Sequence, residues 1–225
     1  MYVGRSIVLV PIVALAIAGS ASGQQIAQGG RAVVPEQRGY VAAMAGAASG
    51  PPTAPVLSVE FGDNVGRHAQ GYATLSYFDN LMRQSMRDEV ATLGTALSTL
   101  TGDRWELSGR DRGVALAAGG KYLIGGGAIR PYVGAGAGVM FLKRTVTEAR
   151  IGDVTAAVFN DFDVGESELS LAVTNLKRPL AEGAVGVGIV AGSTYVDVGY
   201  RYRRAFRLTN SLVFSQLSVG VGYKF

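Results

Sequence analysis

The stretch from Ser211 to Phe225 alternates strictly. Phe225, Tyr223, Val221, Val219 and Leu217 share one face, while Lys224, Gly222, Gly220, Ser218 and Gln216 share the other. A period of two is the mark of a β-strand. One face is apolar and ends in aromatics; the other is small or polar. Such a strand fits a soluble sheet with its apolar face on a core. It equally fits a membrane barrel with that face on lipid and the small face on a lumen. The rest of the chain has to separate the two.

Composition favours a β protein. The 225 residues suffice for one domain of ordinary size. They include 32 glycines and 10 tyrosines, with only 17% charged residues and no cysteine. Without cysteine there is no disulfide scaffold, thiolate metal site, cysteine nucleophile or lipidated N-terminal cysteine. A net charge of +4 without a dense basic motif gives no ground for nucleic-acid binding.

At the N-terminus, Arg5 precedes an apolar run from Ser6 to Ile17 and then the small residues Ala18 to Gly23. A basic start, a short hydrophobic core and a small-residue cleavage zone predict a signal peptide over 1–23 and Sec-dependent export. The run falls short of the roughly 20 apolar residues of a spanning helix. Residues 24–38 are polar and aperiodic and read as a flexible periplasmic lead-in, which leaves 39–225 as one domain. No later segment has the length and apolarity of a membrane helix, so a membrane crossing would need a closed barrel.

Seven further strands are predicted: Tyr40 to Ala47, Val56 to Phe61, Ala69 to Phe78, Arg112 to Leu123, Arg130 to Phe141, Leu180 to Ala191 and Tyr195 to Arg203. The third has no settled facing, because Tyr72 and Leu75 differ in parity. In the fifth, Val133, Ala135, Ala137, Val139 and Phe141 oppose Gly134, Gly136 and Gly138. Links after strands two, four and six are short; those after three and five, about Asn80 to Ser108 and Glu148 to Arg178, are long. Short turns at one end, long loops at the other and an even strand count describe an outer-membrane barrel. Aromatics then gather at the two ends: Tyr40, Phe61, Tyr122, Tyr132, Tyr195, Tyr223 and Phe225 at one, and Tyr77, Phe78, Phe141, Tyr202, Phe206 and Phe214 at the other. These predict two interfacial girdles.

Three stretches carry a family resemblance: Arg130-Pro-Tyr-Val-Gly-Ala-Gly-Ala-Gly-Val139, Tyr195-Val-Asp-Val-Gly-Tyr-Arg-Tyr202 and Val219-Gly-Val-Gly-Tyr-Lys-Phe225. They resemble the small outer-membrane β-barrels of the outer membrane protein A-like and W-like type, over most of Tyr40 to Phe225. The resemblance implies an all-β, eight-stranded antiparallel up-and-down transmembrane barrel. In that family the terminal aromatic belongs to the signal read by the barrel-assembly machinery. Phe225 matches that position, with Tyr223 beside it. Members serve as structural proteins, adhesins, immune-evasion factors or narrow conduits, so the resemblance names an architecture rather than an activity.

Little in the chain points to catalysis. His68 is the sole histidine and sits by the turn after strand two, opposite the rim where lipid A would be met; it reads as a surface residue. Gly134 to Gly138 lacks the strand-turn-helix setting and Lys-Ser/Thr of a phosphate loop, and reads as a strand kept small on its lumen side. Lumen-facing parity collects Glu60, Lys121, Glu182, Asp197, Arg201, Arg203 and Lys224. A lumen just wide enough for side chains predicts an internal ion-pair network.

Basic residues gather at the outer strand ends: Arg110, Arg112, Lys143, Arg144, Lys177, Arg178, Arg204 and Arg207. They suggest a rim that meets the phosphates of lipopolysaccharide. Met82, Met86, Val90, Leu93, Leu97 and Leu100 recur at helical spacing, which predicts a short helix in the second outer loop, capping the mouth or lying on the outer leaflet. The loop with Asp153, Asp161, Asp163, Glu166 and Glu168 is acidic without EF-hand spacing. The expectation is a non-enzymatic bacterial outer-membrane barrel without cofactors, structural or surface-interacting through its long loops, with an unidentified extracellular ligand. A narrow conduit for a small or hydrophobic solute is the alternative, ahead of a soluble periplasmic binder or a lipid A-modifying enzyme.

Overall fold

The structure is a computed structural model and describes residues 39–49, 53–154, 175–206 and 211–225. The expected signal peptide and lead-in, Arg207, and Asp161, Asp163, Glu166 and Glu168 lie outside the described residues. The elements are β1 (Gly39–Ser49), β2 (Ala54–Asn64), β3 (Ala69–Phe78), α1 (Gln84–Thr101), β4 (Leu107–Leu123), β5 (Ile129–Glu148), β6 (Gly152–Asp153), β7 (Asn175–Ala191), β8 (Thr194–Ala205) and β9 (Leu212–Lys224).

Each strand pairs antiparallel with the next, except that the two-residue β6 pairs only with the end of β5, which passes on to β7. β9 returns to β1, with Tyr40 opposite Lys224 and Ala48 opposite Gln216. That pairing closes an eight-stranded up-and-down barrel, which leaves no strand edge open around its wall. One end holds Gly39, Lys224 and the short turns; the other holds the long connections. These are called the terminal end and the loop end. The tightest turn, between Ala191 and Thr194, works because Gly192 takes a φ of 60°, which the primed hairpin turns require.

The side-chain pattern is inverted relative to a soluble domain. On β9, Leu217, Val219 and Val221 are 60%, 53% and 60% exposed on the outside, whereas inside, on β8, Arg201 and Arg203 are 1% and 0% exposed. The same alternation settles β3, where Leu75 points out and Tyr72 in. On β4 the outward apolar residues run from Tyr122 to Val114. That stretch is about 27 Å of strand, or about 21 Å along the axis at a tilt of about 40°.

β4 and β5 reach further than the alternation predicts, from Leu107 and to Glu148. β3 stops opposite Gly113 and β7 opposite Lys143, so the segments 107–112 and 143–148 stand clear of the rim as a raised hairpin about 20 Å long. Both of its faces carry polar residues, such as Arg110, Asp111 and Arg144, so no two-residue hydrophobic period marks it.

The predicted helix forms as α1 and lies against this hairpin. Val90 and Leu97, with Leu93 and Trp105, pack on Leu107, Val146 and Val154. Its N-terminus has no side-chain cap, so α1 depends on this packing rather than on local capping. Ser98 Oγ accepts the Trp105 N–H at 2.8 Å and ties the helix end to the chain entering β4. At the hairpin base a Cβ on Gly109 would lie 2.5 Å from Met82 Sδ and 3.4 Å from Val90 Cγ2. Gly109→Leu is therefore expected to displace Met82 and loosen α1. Limited trypsinolysis of the refolded protein should cut faster at Arg83, Arg87 or Arg104, while the barrel keeps its unboiled gel mobility. Unchanged cleavage would show that the helix is held elsewhere.

Candidate functional site

The inside of the barrel is filled in three layers. Nearest the terminal end are the tyrosines Tyr40, Tyr132 and Tyr195, with Tyr72 above them, all at most 6% exposed. Each stands directly opposite a glycine in the strand register: Tyr40 and Gly62, Tyr72 and Gly119, Tyr132 and Gly186, Tyr195 and Gly222. The ring fills the space that the missing side chain leaves. At Gly62 a Cβ would fall 2.0 Å from the Tyr40 ring.

This placement corrects the girdles. Tyr40, Tyr132, Tyr195, Phe78 and Phe214 are interior, while Phe61, Tyr122, Tyr223 and Phe225 at one end and Tyr77, Phe141, Tyr202 and Phe206 at the other face out. Position along the strand had grouped them, but parity decides which side of the wall each one occupies.

The middle layer joins three carboxylates to three cations. Glu60 is the hub. It accepts from Tyr40 Oη at 2.6 Å and Thr74 Oγ1 at 3.1 Å, and pairs with Lys121 and Arg201. Glu182 accepts from Tyr72 Oη at 2.7 Å and Arg203 Nε at 2.8 Å, with Arg201 Nη1 3.8 Å away. Asp197 accepts from Tyr195 Oη at 2.7 Å and Tyr132 Oη at 3.0 Å, and Lys121 Nζ stands 3.9 Å off. The Lys121 ammonium also lies 4.4 Å from the Tyr132 ring centroid. Arg203 continues the chain to Gln216 Oε1 at 2.7 Å and Ser76 Oγ at 3.2 Å. Charges buried this deeply persist only when paired and hydrogen-bonded, and here both conditions hold. Lys224 is buried as well, near the terminal end.

The third layer, towards the loop end, is apolar. Val56, Phe78, Met140, Leu142, Leu180 and Phe214 form one cluster, with Phe78 and Phe214 edge to face at 5.1 Å.

The outer basic residues separate by face. Arg110, Arg112 and Lys143 point outward on the raised hairpin, with Arg112 opposite Lys143. Arg110 pairs with Asp79. Lys177 points outward beside them, its ammonium 5.9 Å from the Phe141 ring. Arg204 points outward over the Phe206 ring at 5.3 Å. Arg144 instead has the inward parity and makes two 2.8 Å hydrogen bonds to Asp111, so that pair stitches β5 to β4 rather than facing outward. Arg178 shares the inward parity and is half-buried. Sequence reasoning missed Asp79 and Asp111 as partners, because each arginine lies more than thirty residues away in the chain.

Beyond the apolar belt, Glu148 accepts the N–H groups of Arg150 and Ile151 at 2.6 and 2.8 Å and holds the turn into β6. Burial pushes its pKa up, but these backbone donors outweigh that and keep it below the ordinary carboxylate range. His68 is exposed at the terminal end, with Nδ1 3.1 Å from the Leu123 carbonyl.

No protein-family profile matches the chain, and no curated protein does. Among solved structures it is similar to Neisserial surface protein A, with a TM-score of 0.51 and 15% identity over 83% of this chain and 96% of that one. Weaker likenesses are Ail of Yersinia pestis (TM-score 0.45, 11% identity, 84% and 97% covered) and the N-terminal β-barrel domain of Pseudomonas aeruginosa OprF (0.44, 12%, 83% and 97%). Strand closure, the inverted exposure pattern and the first of these likenesses agree: the chain has the fold of the small eight-stranded outer-membrane β-barrels.

Proposed function

We propose that the protein is a non-enzymatic outer-membrane barrel with a closed lumen, acting as a structural or surface-interacting anchor that presents the β4–β5 hairpin and α1 outside the cell. The observation that carries this reading is the filled interior: tyrosines, a paired ion network and an apolar cluster follow one another along the axis. A solute would have to displace all three. The exposed apolar belt supports a lipid environment, since a soluble protein rarely shows so large a continuous apolar surface. His68, the sole histidine, is exposed at the terminal end, opposite the long connections, and its position there supports a role other than hydrolysis of lipid A at the outer rim. In the same reading Tyr223 and Phe225, both turned outward, are the residues presented to the barrel-assembly machinery.

Planar-bilayer recording of the refolded protein tests the closed lumen. The expected result is a silent bilayer, with the same protein showing a shifted gel mobility when unboiled and fractionating with outer membranes from cells. Sustained single-channel steps would overturn the closed lumen in favour of the conduit. Recovery wholly in the periplasmic extract would overturn the membrane reading.

A further inference from the structure

On the outward face of the raised hairpin, Arg112, without a carboxylate partner among the described residues, borders a cavity. The cavity holds about 390 Å³, within the range of about 300–1,000 Å³ usual for small-molecule sites. It is lined chiefly by Arg110, Arg112, Ser108, Thr145, Thr147 and Asp79. Register places these residues in a ladder: Val114 opposite Phe141, then Arg112 opposite Lys143, Arg110 opposite Thr145, and Ser108 opposite Thr147. The first pair is the last apolar rung of the belt. The cations of the next pair begin about 7 Å along the strand, or about 5 Å along the axis at a tilt of about 40°.

Charge along this ladder is uneven. Arg110 is neutralised by Asp79, but Arg112, Lys143 and Lys177 have no carboxylate partner among the described residues. Three like charges in one sector repel unless an anion sits among them. Above them come hydroxyls, with Ser108 Oγ and Thr147 Oγ1 2.8 Å apart. The order outward from the belt is therefore hydrocarbon, cations, hydroxyls. A phosphate at the interface would meet the cations, and a sugar ring above it would meet Ser108, Thr145 and Thr147.

We infer that this face is a binding site for the phosphorylated sugar headgroup of a glycolipid in the outer leaflet. The inference rests on the membrane-anchored reading above. It goes beyond a general basic rim by selecting one sector: Arg144 is spent on Asp111, and Arg204 lies over the Phe206 ring and does not line this cavity. A phospholipid has no sugar ring, so its phosphate would meet the cations and its short headgroup would use little of the hydroxyl ladder.

The test uses the full chain, refolded in micelles of a zwitterionic detergent and checked by unboiled gel mobility. Diphosphorylated lipid A or phosphatidylglycerol is added, and retained lipid is counted by native mass spectrometry. Lipid A should be retained at least about tenfold better than phosphatidylglycerol, and the double variant Arg112→Glu/Lys143→Glu should lose that excess, as expected for charge-assisted phosphate contacts. Arg204→Glu should retain it. Thr145→Val/Thr147→Val should lower lipid A retention more than that of phosphatidylglycerol. Glucosamine 6-phosphate should compete better than inorganic phosphate.

Equal retention of the two lipids, or retention indifferent to the double charge reversal, would overturn the site. Inorganic phosphate competing as well as the sugar phosphate would also overturn it, reducing it to a free-anion site. A chain that folds in micelles but never enters outer membranes in cells would instead overturn the reading on which the inference stands.

Discussion

Replacing Glu60 by alanine is expected to destabilise the barrel by about 3–5 kcal/mol, the usual effect of removing one partner from a buried ion pair. Lys121 and Arg201 both rely on this carboxylate, and both are at most 2% exposed. Asp197 stands 3.9 Å from Lys121 and Glu182 3.8 Å from Arg201, too far to take over as hydrogen-bond acceptors without moving. Tyr40 and Thr74 would each lose an acceptor as well. The measurement is urea unfolding of the refolded protein in micelles.

A second variant separates pairing from packing. In Glu60→Leu/Lys121→Met the carboxylate and one of its two cations go and volume is kept, so part of the loss should return, because apolar replacement of a buried pair is often close to neutral, while the rest stays with Arg201, which still lacks its partner. Strong non-additivity between the single and double variants is the signature of residues in one network. A loss below about 1 kcal/mol for Glu60→Ala would mean that water or a moved carboxylate screens the cations, and the lumen would then not be dry.

The positions of these charges were legible in the sequence because parity alone places them. Glu60 alternates with Val59 and Phe61, and Arg201 and Arg203 alternate with Tyr200 and Tyr202, so an apolar outer face forces the charged one inward. What parity does not reveal is who meets whom. Arg201 reaches Glu60 across 141 residues of chain, and only closure of the barrel brings them together.

Tyrosine was harder to place for a chemical reason. Its ring suits lipid and its hydroxyl suits a polar lumen, so Tyr72 and Tyr77 could each face either way. Glycine held the missing signal, since every interior tyrosine of the first layer lies opposite one. Register is needed to see it. The raised hairpin was hidden for the opposite reason: past the belt neither face needs to be apolar, so the two-residue period ends at Val114 and Phe141 while the strands continue.

The glycines give the second large effect, and its sign depends on the side of the wall. Gly136 faces in, where a Cβ would stand 2.6 Å from Tyr72 Oη, 2.8 Å from the Ala118 carbonyl and 3.3 Å from Glu182 Cγ. Gly183 has the outward parity, and nothing lies within 4 Å of an added Cβ there. Gly136→Val is expected to cost about 2.5–6 kcal/mol, combining about 1–3 for overpacking with about 1.5–3 for the displaced hydrogen bond from Tyr72 to a charged acceptor. Gly183→Val should be neutral or mildly stabilising, since a β-branched side chain replaces a flexible residue in a strand. Gly136→Ala combined with Tyr72→Phe sharpens the argument. With the hydroxyl gone the methyl loses its worst contact, so the double variant should be more stable than the sum of the single losses, leaving only the Ala118 carbonyl to yield. If Gly136→Val cost no more stability than Gly183→Val, the lumen would not be packed against Tyr72.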